Sequence, residues 1–115
     1  MEPDAAWNRV LGLNLQRPFT LTQKLYPLLK NSSSPRIIHI GSISGIGVPG
    51  LETYAYSASK AGLHHLSEVL AVRLGREGFT VNTIACGPFQ SKMMKETLEK
   101  VCPYYWLCPL YFLWS

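Results

Sequence analysis

Arg36-Ile37-Ile38-His39-Ile40 is short, rich in β-branched side chains and nearly continuous in apolar character. Such a run suits a strand covered on both faces in a parallel sheet. Phe79-Thr80-Val81-Asn82-Thr83-Ile84-Ala85 reads as a second strand. Between them lie a Gly- and Ser-rich loop, Gly41 to Thr53, and a helix from about Tyr54 to Gly75. Leu63, Leu66, Leu70 and Leu74 mark the buried stripe of that helix, at spacings of three and four. Arg76-Glu77-Gly78 closes it, with glycine as the stop. Strand, crossover helix and strand make a right-handed βαβ unit, which implies a parallel sheet with helices on its faces.

Upstream, Asp4 is placed to cap a long helix, along which Val10, Asn14, Leu21, Leu25 and Leu28 recur at helical intervals. Pro18 should bend this helix just after Asn14. Asn31-Ser32-Ser33-Ser34-Pro35 ends it in a turn cluster. Downstream, a loop around Gly87-Pro88 leads to a short polar helix, Ser91 to Lys100. The expected fold class is α/β: a partial Rossmann-like, doubly wound parallel sheet with about two strands and three helices. Two strands alone leave a face or an edge open, so residues 1–100 read as an incomplete domain. Residues 101–115 change character. They hold no charge, yet carry two of the three Cys, two of the three Trp and three of the six Tyr. Pro103 and Pro109 break any helix there. This segment reads as an aberrant or unstructured hydrophobic tail, with a genuine docking segment as the alternative.

The 115 residues point to one domain. Charged residues make up only 16%, which favours a packed interior over disorder. The net charge of +4 comes from basic residues spread between Arg9 and Lys100, without the clustering that a nucleic-acid surface needs. Cys86, Cys102 and Cys108 are odd in number and show no CxxC spacing, so neither a disulfide framework nor a metal site is expected. The polar start Met1-Glu2-Pro3-Asp4 is unlike a signal peptide. No apolar window is long enough to span a membrane, and the expected location is the cytoplasm.

Tyr56 and Lys60 stand four apart on the second helix and so share one of its faces. A phenol with its ordinary pKa of about 10 is a slow acid at neutral pH. A neighbouring ammonium favours the phenolate and makes the phenol a better proton donor to a carbonyl oxygen. By itself this pair recurs by chance on many helices. Ser42 adds context, because a hydroxyl at the carboxyl end of a parallel strand faces the crevice where α/β sheets bind ligands.

Three segments carry a resemblance: Arg36 to Gly45 (RIIHIGSISG), Tyr54 to Gly62 (YAYSASKAG) and Val81 to Pro88 (VNTIACGP). In this order they resemble the classical short-chain dehydrogenases/reductases. Trp7 to Leu15 (WNRVLGLNL) is similar to the helix that carries the family's catalytic asparagine. The likeness covers about residues 4–100 and is nearest to the 3-oxoacyl-acyl-carrier-protein reductases, including rhamnolipid-type reductases. It implies that Tyr56 donates the proton and that Lys60 lowers its pKa and holds the nicotinamide ribose. It also implies that Ser42 binds the substrate oxygen, and that Asn14 holds a water relaying protons to Lys60. Gly87 and Ser91 match the Pro-Gly-x-x-x-Thr segment that holds the nicotinamide, with Cys86 in place of the proline and Ser91 in place of the threonine. The implied cofactor is NADP(H) or NAD(H), with NADP(H) favoured, and the implied substrate is a small carbonyl or alcohol. Helices of about residues 4–30 and 54–75 would form a homo-oligomer interface.

Two other patterns mislead. Gly45-Ile-Gly47-Val-Pro-Gly50 fits G-x-G-x-x-G, but it neither follows the strand directly nor opens a helix. Gly41 to Gly45 has Ile43 where a hydrolase elbow needs serine. His64 and His65 are expected at the surface or partly buried, beyond the active face. The family's cofactor loop, Thr-Gly-x-x-x-Gly-x-Gly, does not occur in these residues. The sequence therefore reads as the catalytic half of an oxidoreductase, expected to turn over little or not at all by itself. The alternatives are a non-catalytic fragment that associates through its helices, or an aberrant gene product.

Overall fold

The computed structural model describes residues 1–88 and, for the backbone alone, residues 111–113. The expected helix Ser91 to Lys100, and Ser91 itself, lie outside the described residues. Helix α1 spans Asp4–Leu11 and α2 spans Arg17–Leu29. Between them the chain takes one wide π turn, Gly12–Gln16, centred on Asn14. The distortion expected from Pro18 thus comes ahead of it: Pro18 stands in the first turn of α2, and the π turn lies at the residues whose helical bonds its missing N–H interrupts. Asp4 is the first helical residue rather than the cap, which is Pro3. Its carboxylate still favours the positive end of the helix.

Strand β1 is Arg36–Ser42, two residues longer than the sequence suggested, and ends in a 3-10 turn, Ile43–Gly45. Helix α3 covers Tyr54–Leu74. A 3-10 turn, Gly75–Glu77, and Gly78 in the left-handed region (φ 83°) lead into β2, Thr80–Cys86. The two strands pair in parallel, Arg36 opposite Thr80 through Ser42 opposite Cys86. Within the segment expected to be unstructured, Tyr111–Leu113 forms a third strand, β3, antiparallel to Thr83–Ala85.

The core lies between the sheet and the helices. Ile37, Leu70, Phe79 and Val81 are buried together, with Tyr26, Leu29, Leu66 and Leu74 packed around them. The Tyr26 ring stacks on Phe79 at 5.7 Å between centroids. Its hydroxyl donates to the Glu77 carboxylate, which also meets Lys30 at 3.4 Å. These contacts tie the end of α2 to the turn before β2.

Two expectations fail on burial. β1 is covered on one face only: Ile37 and His39 are buried, while Ile38 and Ile40 are 58% and 56% exposed. On α2, Leu21, Leu25 and Leu28 are exposed, and the inward positions are Thr22, Tyr26 and Leu29. The stripe legible in the sequence is the one that the described residues leave open. Ile38, Ile40, Leu21 and Leu25 line a single cleft of about 700 Å³. Among the described residues, no helix is long and apolar enough to cross a membrane.

Candidate active site

Ser42 ends β1, and α3 begins beyond the loop that follows. Glu2 anchors the first turn of α3, its carboxylate accepting from the Ala55 N–H at 2.9 Å. A carboxylate at a helix N-terminus is favoured by the unpaired amides and the macrodipole there. That turn carries Tyr56, which is 38% exposed. One turn on, the Lys60 Nζ stands 5.7 Å from the centre of the Tyr56 ring and donates to the Ile40 carbonyl at 2.8 Å. The 3-10 turn below Ser42 presses closely on this part of α3. A Cβ at Gly45 would stand 2.8 Å from the Lys60 carbonyl carbon and the Ala61 nitrogen, so a side chain there would push the turn away from α3.

Asn14 reaches the same helix from the π turn. Its Nδ2 donates to the Ser59 Oγ at 3.1 Å, and that hydroxyl donates to the Tyr56 carbonyl at 2.7 Å. The Asn14 side chain therefore clips the π turn to the turn that carries Tyr56. The Asn14 carbonyl cannot receive the usual helical bond from residue 18, because Pro18 has no N–H. Asn14 and Lys60 both line the cleft beside β1, whereas Ser42 and Tyr56 do not. Ser42 is buried, and its Oγ accepts the Ser44 N–H at 3.2 Å. Gly87 is half-buried just past β2.

Sequence reasoning missed a group of buried polar side chains behind the site. The His64 Nε2 accepts the Ser42 N–H at 3.1 Å, so His64 is not a surface residue. The spacing of Tyr56, Lys60 and His64 at four-residue steps was the available signal. His39 Nδ1 lies 2.7 Å from the Ser67 Oγ, whose proton goes to the Leu63 carbonyl at 2.9 Å. Nδ1 is then the donor of that pair. Burial holds the His39 imidazole below its ordinary pKa. Burial, then the Lys60 ammonium, does the same to His64, against an upward pull from Glu68. Thr83 Oγ1 is buried without a partner among the described residues.

The sequence profile of the short chain dehydrogenase family matches residues 1–101. The 3-oxoacyl-acyl-carrier-protein reductase of rhamnolipid biosynthesis from Pseudomonas aeruginosa is 44% identical over 97 residues, covering 81% of this chain and 38% of that one. A 3-oxoacyl-acyl-carrier-protein reductase from Rickettsia conorii is 37% identical over 98 residues, covering 84% and 40%. The solved NADP complex of Pseudomonas aeruginosa RhlG superposes with a TM-score of 0.78 at 40% identity, over 87% of this chain and 41% of that one. The chain thus spans about two fifths of the length of these relatives.

Proposed function

The chain belongs to the short chain dehydrogenase family, and on that premise we propose that Ser42, Tyr56, Lys60 and Asn14 form the proton-delivering side of an oxidoreductase site. The reaction interconverts a carbonyl and a secondary alcohol with NADP(H), in the direction of reduction. What carries the reading is the Lys60 ammonium over the Tyr56 ring, on a helix turn tied near the carboxyl end of β1 by the Lys60–Ile40 hydrogen bond.

Lys60 is tied to Ile40 near the carboxyl end of β1, the end at which parallel sheets bind dinucleotides, and with Asn14 it stands in the wall of a cleft that runs back along β1 to Arg36. A bound nicotinamide supplies the hydride; the residues of the chain handle the oxygen and the proton. Tyr56 gives its phenolic proton to the carbonyl oxygen. The Lys60 ammonium, 5.7 Å from the ring centre, is the cation beside the oxygen left behind. An ammonium has three donors; one is on Ile40, and two remain for ribose hydroxyls. Because the Ser42 Oγ already accepts from Ser44, its own proton is the one to offer to the substrate oxygen. The Asn14 carbonyl, without a bond from Pro18, is the group to hold a water. Gly87, just past β2, and Ser91 would hold the nicotinamide. The names of the relatives point to 3-oxoacyl thioesters as the substrate class, and the RhlG complex favours NADP(H) over NAD(H).

A nuclear magnetic resonance titration of the labelled chain with millimolar NADPH tests the cofactor side. Shifts are expected at the Asn14, Ile40 and Lys60 amides, at weak affinity. A titration that leaves these three unmoved overturns the assignment of the cleft. The second reading is a non-catalytic chain that acts by association. It is favoured by the apolar side chains left bare on the helices, Leu13 at 69% and Val72 at 73% exposed. Concentration-dependent assembly without any NADPH response would select it.

A further inference from the structure

We infer that His64 is a positioning residue for Ser42: an imidazole with an unprotonated Nε2 fixes the backbone from which the Ser42 hydroxyl projects. The inference rests on the reading of Ser42 as the group that meets the substrate oxygen.

Three observations carry it. The Ser42 N–H donates to the His64 Nε2 at 3.1 Å, and His64 is only 7% exposed. Nε2 therefore bears no proton, and the neutral ring carries its proton on Nδ1. The ring also fills the space between the end of β1 and the following turn. A Cβ at Gly41 would lie 2.1 Å from Nε2, and one at Gly45 would lie 3.0 Å from Cε1. The glycines on either side of Ser42 thus leave room for this imidazole. Finally, His64 continues the line of Tyr56 and Lys60 along α3, so one helix face carries the proton donor, the ammonium and the support for Ser42.

The Gly41–Ser42 peptide cannot turn without losing this acceptor, and a buried amide left unpaired is destabilising. The direction of that peptide sets where the Ser42 Cβ points. A protonated ring would set one N–H against another. The ionisable groups around His64 are Lys60 and Glu68 on its own helix and His39, three residues before Ser42 on the buried face of β1. The facing side of β2 offers Thr83, and the turn after β1 offers no charged group. Burial and Lys60 both resist protonation. The support therefore holds at neutral pH and fails in acid.

The test follows the Ser42 amide and the His64 ring of the whole chain by nuclear magnetic resonance from neutral to acid pH, with the Val81 amide reporting on folding. The expected result is Nδ1–H imidazole at neutral pH. The Ser42 amide should shift with the midpoint of His64, below the ordinary imidazole value, while Val81 stays in place. A Ser42 amide that ignores the titration of His64, or a ring protonated on Nε2 at neutral pH, overturns the inference. Variants give the second readout. His64→Gln keeps an acceptor and should retain Ser42 exchange protection within about threefold while losing its acid dependence. His64→Leu should lose tenfold or more at Ser42 alone; equal protection in both variants overturns the role. None of these readings uses a cofactor, so failure here leaves the proposed reaction standing. A silent NADPH titration instead overturns the cleft and leaves the pairing of His64 with Ser42 intact.

Discussion

The face of β1 that carries Ile37 and His39 is packed, whereas the face that carries Ile38 and Ile40 is bare. Ile37 is 9% exposed against α3, whereas Ile38, the next residue, is 58% exposed. The difference teaches that coverage, rather than side-chain type, decides what is core. A strand of a doubly covered parallel sheet is apolar on both faces, and the described residues of this chain cover one. The same division runs through the site. The packed side holds the fixing groups, Ser59, His64 and Ser67, all buried. The bare side opens on a cleft whose wall includes Asn14 and Lys60, while Ser42 and Tyr56 stand outside it.

The comparison can be broken by mutation. Phe79→Ala, on the packed side at 4% exposure, should cost about 3–5 kcal/mol in urea unfolding. Gly41→Ala should follow, at about 1–3 kcal/mol, because its methyl would meet His64 at 2.1 Å. Gly47→Ala, with nothing closer than 4.0 Å, should be mild by contrast. Ile38→Ala should cost under about 1 kcal/mol, since most of that side chain is already in water. Equal losses at Phe79 and Ile38 would erase the distinction between the faces.

Acid sharpens the same contrast. His39 and His64 are held below their ordinary value, chiefly by burial. The unfolded chain then binds protons that the native state resists. The stability linked to these rings is fully present above about pH 6.5, the unperturbed imidazole value. It is lost as pH falls through the lower folded values. Unfolding midpoints measured at stepped pH should decline in that window, and less steeply in His64→Gln. The smallest effect belongs to the surface. The Tyr26 hydroxyl, then Lys30, holds the Glu77 carboxyl below its usual range. The group is exposed to solvent, so Glu77→Gln should scarcely move the melting temperature.

Much of the βαβ unit was legible because it is local. The alternation from strand to helix to strand, the glycine stop at Gly78 and the Tyr56–Lys60 spacing all lie within short windows. The orientation of α2 was not. Its leucines mark a face, but periodicity cannot say whether anything covers that face. His64 was misread for a related reason. A histidine on a helix is silent about its environment until the end of β1 and two glycines close around it. The place of the bend near Asn14 was legible from Pro18, but its form, a π turn over Gly12–Gln16, was not. The pairing of Tyr111–Leu113 with Thr83–Ala85 joins segments far apart in sequence, which no local pattern announces.

The proton donor is the centre of the account, and a hybrid enzyme tests it most directly. The matching segment of the Pseudomonas rhamnolipid reductase would be replaced by that of this chain, and NADPH-dependent reduction of a 3-oxoacyl thioester measured with and without Tyr56→Phe. The prediction is an active hybrid that loses at least about 10²-fold in kcat on that change. Its melting temperature should be unaltered, because Tyr56 is 38% exposed and makes no side-chain hydrogen bond among the described residues. A hybrid that keeps its full rate without the Tyr56 hydroxyl would contradict the assignment of the acid and the reading of the site built on it.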